Sequence, residues 1–135
     1  MASDRIWRDP KEKIVILDSN AVMMLFEFSI DFYAELTRLI GKYHLVIPTP
    51  VIEELKLLSQ KGDGKTARKA RACLQLVKNI EIKAVEDTQV DDAVFALAQQ
   101  LNGIVVTNDK NLRRKFKEHH LSVIFLRGKH ILSLE

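Results

Sequence analysis

Cysteine is nearly absent from the 135-residue sequence, which contains only Cys73. A single cysteine cannot form a disulfide within the chain, and the sequence shows no cysteine and histidine spacing typical of a zinc site. Because Cys73 falls within a predicted helix, we interpret it as a structural thiol and not as a nucleophile. This cysteine usage is typical of proteins in a reducing cytosol.

Long apolar runs are also missing. No run approaches the roughly 18 residues of a membrane-spanning helix. The first 13 residues, MASDRIWRDPKEK, contain no apolar stretch of the kind found in a signal peptide. Glycine and proline are scarce, with 5 and 3 residues, and no linker is visible. We therefore predict a soluble cytoplasmic protein with no membrane partner, folded as one domain over residues 1–135, with residues 1–12 flexible or loosely packed.

A strong excess of either charge is absent as well. Charged residues make up 29% of the sequence, apolar residues 47%, and the net charge is +3. A chain of this length and apolar content buries roughly two thirds of its unfolded surface on folding. The modest basic excess permits a polyanionic partner but does not require one.

The sequence does contain a regular alternation of apolar strands and amphipathic helices. This alternation, with crossover-length segments between strands, predicts an α/β fold with a parallel sheet flanked by helices. The sequence does not decide whether the tail KHILSLE packs against the domain or frays. The predicted strands lie at 13–17, 44–48, 80–85, 104–106 and 121–128, and the predicted helices at 21–28, 30–42, 49–60, 66–79, 88–103 and 110–120.

The first predicted strand ends in a carboxylate. In KIVILDSN, residues 14–17 are apolar, as expected of a strand buried on both faces of a parallel sheet, and Asp18 follows at once. Ligands of open α/β sheets bind at the carboxyl ends of strands, so Asp18 is placed for chemistry. The alternative is that Asp18 or Asn20 only caps the helix that starts near Ala21.

The fourth predicted strand, in IVVTND, ends in the same way with Thr107 and Asp109. Neighbouring strands lie roughly 4.8 Å apart. If these two strands are neighbours, Asp18 and Asp109 lie side by side and can share divalent cations. The alternative is that Asp109 is only the N-cap of the helix that follows.

A third acid is predicted from the helix that contains VIEELKLL. By helical phase, Glu54 flanks the apolar face of this helix, whereas Glu53 points nearly opposite and is expected to be solvated. Glu54 can therefore reach a buried site. The alternative is an ordinary acid in the first turn that interacts with the helix dipole.

Two adjacent acids, Asp91 and Asp92, begin the helix predicted at 88–103. Thr88 and Asp91 have the spacing of a capping box, which gives Asp91 a local structural role and leaves Asp92 for a site. Helical periodicity points the other way, because Asp91 lies nearer the apolar face. The residues alone leave this choice open, with the capping box favouring Asp92.

Taken in order, ILDSNAVM, IPTPVIEEL, VDDAVFALA and VVTNDKNLRRK resemble the motifs of PIN-domain ribonucleases and span nearly the whole chain. The resemblance implies a three-layer α/β/α fold with a parallel five-stranded sheet in the order 3-2-1-4-5, in which the strands of Asp18 and Asp109 are adjacent. The charged third strand fits an edge of that sheet. The resemblance assigns the four acids of the family to Asp18, Glu54, Asp92 and Asp109, and its polar helpers to Asn20 and Thr107.

The chemistry implied by the resemblance is endonucleolytic hydrolysis of RNA with Mg²⁺ or Mn²⁺. These hard cations prefer oxygen ligands, and closely packed carboxylates would repel one another without them. Asp18, Asp92 and Asp109 are the predicted metal ligands, and Glu54 is a ligand or a base acting through water. Asn20 and Thr107 are predicted to orient waters and acids.

An RNA substrate also requires cations around the site. A metal-free histidine mechanism is disfavoured, because His44, His119, His120 and His130 do not adjoin an acidic motif. Aromatic residues are only 7% of the sequence and form no ordered series for base stacking, so no base preference can be predicted. The candidate cations lie on two segments, one with Lys61, Lys65, Arg68, Lys69 and Arg71 and one with Arg113, Arg114, Lys115 and Lys117.

The resemblance leaves three functions open. One is a processing endoribonuclease, acting for example on rRNA, and another is a VapC-type toxin with an antitoxin protein as its partner. The third is a non-catalytic RNA-binding or assembly subunit, which the intact acids disfavour. Family members commonly form homodimers, and the apolar segment AVMMLFEF, residues 21–28, is suited to such an interface or to the core.

Overall fold

The computed structural model describes residues 11–27, 31–128 and 131–135, so residues 1–10 of the predicted flexible segment lie outside the described residues. This part of the chain contains six strands and six helices. The strands are β1 (Lys13–Leu17), β2 (Tyr43–Pro48), β3 (Glu81–Lys83), β4 (Ile104–Val106), β5 (Val123–Arg127) and β6 (Ile131–Leu134). The helices are α1 (Ser19–Glu27), α2 (Phe32–Ile40), α3 (Thr49–Ser59), α4 (Lys65–Leu76), α5 (Val90–Leu101) and α6 (Lys110–Glu118).

The strands form one sheet in the order β3-β2-β1-β4-β5-β6. The first five pair in parallel, which confirms the predicted order 3-2-1-4-5. The sheet also has a sixth strand that was not predicted, because the tail pairs antiparallel with β5 and places Leu132 opposite Leu126. The side chain of Leu132 is fully buried, so this strand is part of the core.

The central strand β1 positions the polar edge of the sheet. Its residues Ile14 to Leu17 are all buried, as expected where helices cover both faces of a parallel sheet in three layers. Leu17 pairs with Val106 of β4. Since Asp18 follows Leu17 and Thr107 follows Val106, the register brings these two polar residues side by side at the carboxyl edge.

Close packing between α5 and β1 depends on one glycine. A Cβ atom at Gly103, which precedes β4, would lie 2.8 Å from Ile16 Cδ1. The side chain of Ile16 is fully buried and has little room to move away. Glycine at this position therefore lets the chain turn from α5 into β4 against the central strand.

The start of α5 differs from the prediction. The helix begins at Val90, and its N-cap is Gln89, which makes no capping hydrogen bond through its side chain. The predicted capping box between Thr88 and Asp91 is therefore wrong. Asp91 occupies the second helical position, and the local structural role that had separated it from Asp92 is missing.

Within residues 11–27, 31–128 and 131–135, no helix combines the length and the apolar content needed to cross a membrane.

Candidate active site

Asp18 is a buried carboxylate at the carboxyl end of β1, with a side chain that is only 3% exposed. The backbone N–H of Ala21 donates to its Oδ1 atom at 2.8 Å, so the residue does cap α1 as well. Burial raises the pKa of Asp18 to about 6, against a smaller lowering by the hydrogen bonds from Thr107 and Ala21. The charges of Asp91 and Asp109 make a smaller contribution to this raised pKa.

Thr107 connects the two predicted strand-end acids. Its side chain is fully buried at the end of β4 and hydrogen-bonds to the Asp18 carboxylate. Its Oγ1 atom also accepts a hydrogen bond from the backbone N–H of Asp109 at 3.1 Å. A hydroxyl can donate one hydrogen bond and accept another at the same time. Thr107 thereby connects both acids by hydrogen bonds, and its helper role in the chemistry stays a prediction.

Asp109 is the N-cap of α6, and the predicted capping role is therefore real. Its Oδ1 atom accepts from the backbone N–H groups of Asn111 at 2.9 Å and Leu112 at 3.1 Å. Both bonds end on the same oxygen, which leaves Oδ2 for a ligand. Capping and a place in an acidic site are compatible, because a carboxylate has about four acceptor positions.

Asp91 is the acid of α5 that faces the others. Burial raises its pKa, and the neighbouring charges of Asp109, Asp92 and Glu54 raise it further, whereas Lys115 lowers it. Asp91 in turn raises the pKa of Asp18. The side chain therefore lies within electrostatic reach of the acids on β1, α3 and the β4–α6 connection.

Asp92 points towards α6. Its Oδ1 atom lies 3.6 Å from the Nζ atom of Lys115. The same ammonium group lies 4.4 Å from the ring centre of Phe95. The two adjacent acids thus differ as helical periodicity indicates: Asp91 lies within electrostatic reach of the other acids, and Asp92 is paired with Lys115. The assignment of Asp92 by motif resemblance stays a prediction.

Glu54 lies on α3, where it is exposed, and accepts a hydrogen bond from the Ser19 hydroxyl. It lines a cavity of about 610 Å³ between α3 and the start of α5, together with Glu53, Asp91 and Asp92. Glu53 is exposed, as predicted, but lies in the same cavity. The predicted difference in burial between Glu54 and Glu53 is therefore wrong: both lie at the surface, where the Ser19 hydroxyl connects Glu54 to α1.

Asn20 holds the loop that carries Asp109. Its Oδ1 atom accepts the backbone N–H of Asn108 at 2.7 Å, and the Oδ1 atom of Asn108 accepts the N–H of Leu126 at 2.7 Å. These bonds join α1, the β4–α6 connection and β5. The sequence analysis did not identify Ser19 or Asn108, although both lie in the polar triplets that contain the strand-end acids.

A family model described as a PIN-like domain matches residues 15–129, a range that contains all the predicted acids and polar helpers. The chain belongs to the PIN-like domain family. The resemblance read from the four motifs is therefore confirmed at the level of the family.

Two relatives of this PIN-like domain are named ribonucleases. Ribonuclease VapC4 of Methanocaldococcus jannaschii is 34% identical over 119 residues, which cover 85% of the chain and 91% of the relative. Ribonuclease VapC9 of Archaeoglobus fulgidus is 30% identical over 127 residues, which cover 94% of the chain and 92% of the relative. The similarity in both cases extends over nearly the full length of the two proteins.

Solved structures share the fold of the PIN-like domain. The PIN domain endonuclease Utp24 superposes with a TM-score of 0.74 at 21% identity, covering 93% of this chain and 92% of that one. A domain of a functionally unknown protein from M. jannaschii superposes with a TM-score of 0.64 at 18% identity, covering 86% and 92%. At such identities these structures establish the common architecture.

The acids of this PIN-like domain have the chemistry of a hard-cation site. Their ligand atoms are carboxylate oxygens, which Mg²⁺ and Mn²⁺ prefer, and their mutual repulsion is the kind that a divalent cation removes. In the described part of the chain, no three histidine, cysteine or acidic side chains are arranged closely enough to enclose one ion. The residue types fit a divalent cation, although the described side chains do not enclose one as they stand.

Two described histidines of the PIN-like domain have hydrogen-bond partners outside the acidic site. His44 Nε2 lies 2.7 Å from Glu81 Oε1 at the β2–β3 edge. The ring of His119 packs against Phe95, and its Nδ1 atom lies 2.9 Å from the Lys115 carbonyl oxygen. His130 lies outside the described residues. The prediction that histidine does not carry the chemistry stays a prediction.

Proposed function

We propose that this protein is a divalent-metal-dependent endoribonuclease that hydrolyses phosphodiester bonds. One observation carries the proposal: the buried carboxylate of Asp18, with a pKa of about 6, lies beside Thr107 and within electrostatic reach of Asp91 and Asp109. Buried acids that raise one another's pKa are typical of functional sites. The ribonuclease names of VapC4 and VapC9 support the same activity.

Mg²⁺ or Mn²⁺ is the proposed cofactor, which when bound supplies an activated water and stabilises the leaving 3′ oxygen. Asp18 and Asp109 are the proposed principal ligands. Glu54 is proposed as a ligand or as a base acting through water, held meanwhile by Ser19. For the remaining acid, motif resemblance favours Asp92, whereas packing favours Asp91, and we propose Asp91.

The remaining polar residues are proposed to position the acids. Thr107 holds Asp18 and the backbone of Asp109 together. Asn20 fixes the connection between β4 and α6 through the N–H of Asn108. Neither side chain needs to touch the substrate for this role, because a small displacement of a ligand is enough to impair catalysis.

The activity is tested by incubating the protein with single-stranded, hairpin and double-stranded RNA in Mg²⁺, in Mn²⁺ and in EDTA, and by mapping the product ends. In-line attack by water with departure of the 3′ oxygen predicts internal cuts that leave 5′-phosphate and 3′-hydroxyl ends. Products with 2′,3′-cyclic phosphate ends, or cleavage that persists in EDTA, would contradict the proposed chemistry.

A VapC-type toxin is the second candidate, and the names of the two relatives favour it over a processing enzyme, for example one that acts on rRNA. The partner would then be an antitoxin protein. Induced expression of the wild-type chain should arrest growth, and co-expression of the neighbouring gene should restore it. Unimpaired growth, combined with accumulation of an unprocessed RNA precursor in a deletion strain, would favour the processing role.

A homodimer is a further proposal carried over from the family resemblance. Ala21, Val22 and Met24 of α1 are buried in the core, so the predicted apolar segment is used mainly within the chain. Phe26 is 47% exposed and is the side chain of α1 best placed for a second copy. Sedimentation of the wild type and of Phe26→Ser tests this, since a dimer held by α1 dissociates in the variant.

A further inference from the structure

We propose that one face of α6 binds the RNA backbone beside the acidic site, an inference that rests on the proposed ribonuclease function. The helix has the sequence KNLRRKFKE, with five basic residues and one acidic residue. Four of the basic residues follow the spacing i, i+3, i+4 and i+7, which places them on one side of a helix. This α6 basic face consists of Lys110, Arg113, Arg114 and Lys117.

The α6 basic face begins at the acidic site. Lys110 directly follows Asp109, which caps the helix through Asn111 and Leu112. From Lys110 to Lys117 the helix rises about 10 Å, at 1.5 Å per residue. This length faces about three phosphates at the ~3.4 Å axial spacing of one stacked strand. A strand bound along this face would lead directly to Asp109.

The buried side of α6 fixes the direction of the basic face. Leu112 and Phe116 are buried and belong to the hydrophobic core. Since these residues anchor one side of the helix, the basic side remains turned outward. The four basic side chains and Glu135 line a surface cavity of about 390 Å³. The α6 basic face is therefore part of a surface groove that a strand can enter.

Most of the positive charge on this face is available to an anion. Lys110 and Lys117 are exposed and have no ion-pair partner among the described residues. The guanidinium of Arg114 donates to the neutral side chain of Asn111 at 2.6 Å. Only Arg113 is paired with an acid, since its Nη2 lies 3.3 Å from Glu135 Oε1, and it also stacks on Phe125 at 3.9 Å.

The second basic segment, at Lys61 to Arg71, is less suited to this role. Lys69 Nζ lies 2.6 Å from Glu27 Oε2, and Arg71 Nη2 lies 3.7 Å from Asp63 Oδ1, so two of its cations have acidic partners. The start of α4 lies against Phe26 and Glu27, at the end of α1 remote from Asp18. An RNA strand on this surface would not pass directly over the acids.

The experiment compares two triple variants with equal loss of charge in the uncleaving Asp18→Asn background. One is K110Q/R114Q/K117Q, which leaves the Arg113–Glu135 pair intact. The matched control, K61Q/K65Q/R68Q, changes the second basic segment. Binding of a fluorescent single-stranded RNA of about 15 nucleotides is followed by anisotropy in about 50 to 200 mM KCl with Mg²⁺ present. Thermal unfolding of each variant checks the fold.

The α6 variant should bind at least about tenfold more weakly, and the slope of log K against log salt should decrease by about 2, as expected for the loss of three phosphate contacts. The control should bind within about threefold of the parent with an unchanged slope. If removing Arg114 disturbs the helix, K110Q/K117Q changes only exposed side chains and should still reduce the slope by about 1.4.

Three results would overturn the inference: equal binding by the α6 variant and its parent, an equal loss in the control, or no RNA binding by the parent. A failure of the proposed function is distinguishable from these. If the wild type never cuts RNA but binds it through the α6 basic face, the ribonuclease proposal fails while this surface is retained. If it cuts RNA while the α6 variant binds normally, only this inference fails.

Discussion

At the scale of single residues, the site contains a carboxylate, Asp18, whose ionised form is disfavoured by burial and by neighbouring negative charges. Asp18 is almost completely buried, and its pKa is raised to about 6 by that burial, with Asp91 and Asp109 as additional negative neighbours. The hydrogen bonds from Thr107 and Ala21 offset only part of this effect. Such a buried, raised-pKa carboxylate lowers the stability of the fold at neutral pH and is typical of functional sites.

Replacing Asp18 with Asn should stabilise the metal-free protein at neutral pH. Because the pKa rises from 3.8 to about 6 on folding, the native state holds more protons between these values, and stability falls as pH rises through them. The full difference corresponds to about 3 kcal/mol. Since the amide also loses charge-assisted hydrogen bonds, we expect a gain of about 2 kcal/mol at pH 7.

Urea unfolding of the wild type and Asp18→Asn in EDTA measures this effect at two pH values. The gain should be present at pH 7 and nearly absent at about pH 4, where Asp18 of the wild type is mostly protonated. If Asp18→Asn were less stable than the wild type at pH 7, the prediction would be contradicted. The hydrogen bonds to the Asp18 carboxylate would then outweigh the cost of burying its charge.

The two adjacent acids of α5 should differ in their effect on catalysis. We expect Asp91→Asn to lower kcat/KM for RNA at least about a hundredfold, because Asp91 faces the other acids. Asp92→Asn should lower it about tenfold or less, because Asp92 contacts Lys115. Single-turnover cleavage rates in Mn²⁺ provide the comparison, and the reverse ranking would support the assignment by motif resemblance.

The strand-end acids could be predicted from the sequence, whereas the choice between Asp91 and Asp92 could not be made. Asp18 and Asp109 each follow an apolar run, and the parallel register places such residues together without detailed knowledge of side chains. For Asp91 and Asp92, helical periodicity favoured Asp91 and the capping-box spacing favoured Asp92, so the residues alone did not decide between them. The spacing of Thr88 and Asp91 suggested a capping box that the backbone does not form.

At the scale of elements, β6 is the strand that the sequence pattern did not predict. It has four residues and pairs antiparallel with β5, from which only residues 128–130 separate it along the chain. The N–H of Leu132 donates to Glu35 Oε1 at 2.9 Å, and its carbonyl accepts from Arg38 at 2.8 Å. These bonds join β6 to α2, which is far away in the sequence, and no local pattern in KHILSLE predicts them.

Truncation of a side chain on β6 should show that this strand belongs to the core. Leu132→Ala removes a fully buried side chain and should lower the free energy of unfolding by about 2 to 4 kcal/mol. Ile131→Ala is the matched control, because this side chain is 53% exposed and should cost less than about 1 kcal/mol. Equal losses in urea unfolding would mean that β6 is not packed as described.

At the scale of the whole molecule, the sheet order and the acidic site follow from one arrangement. Alternating strands and helices build the parallel sheet, the central strands β1 and β4 end at neighbouring positions, and α6 begins from the same point with its basic face outward. The fold was predictable because the apolar runs are strong and regular. The surface contacts of Glu54 with Ser19 and of Asp92 with Lys115 were not, because they join helices far apart in the sequence.

Binding of a divalent ion should couple to the stability of the whole chain. A ligand that binds only the native state at a hundred times its Kd stabilises it by about 2.7 kcal/mol. We therefore expect Mn²⁺ to raise the Tm of the wild type by several degrees, and to have little effect on Asp18→Asn. An equal rise in both proteins would indicate that the ion binds elsewhere.

The most direct test of the central claim is cleavage of a circular single-stranded RNA, which has no ends and can be opened only by an endonuclease. Metal-stripped wild type should leave the circle intact, linearise it when Mn²⁺ or Mg²⁺ is restored, and lose activity again in EDTA. Asp18→Asn, with a confirmed fold, should leave the circle intact under every condition. Linearisation by Asp18→Asn at the wild-type rate would contradict the account.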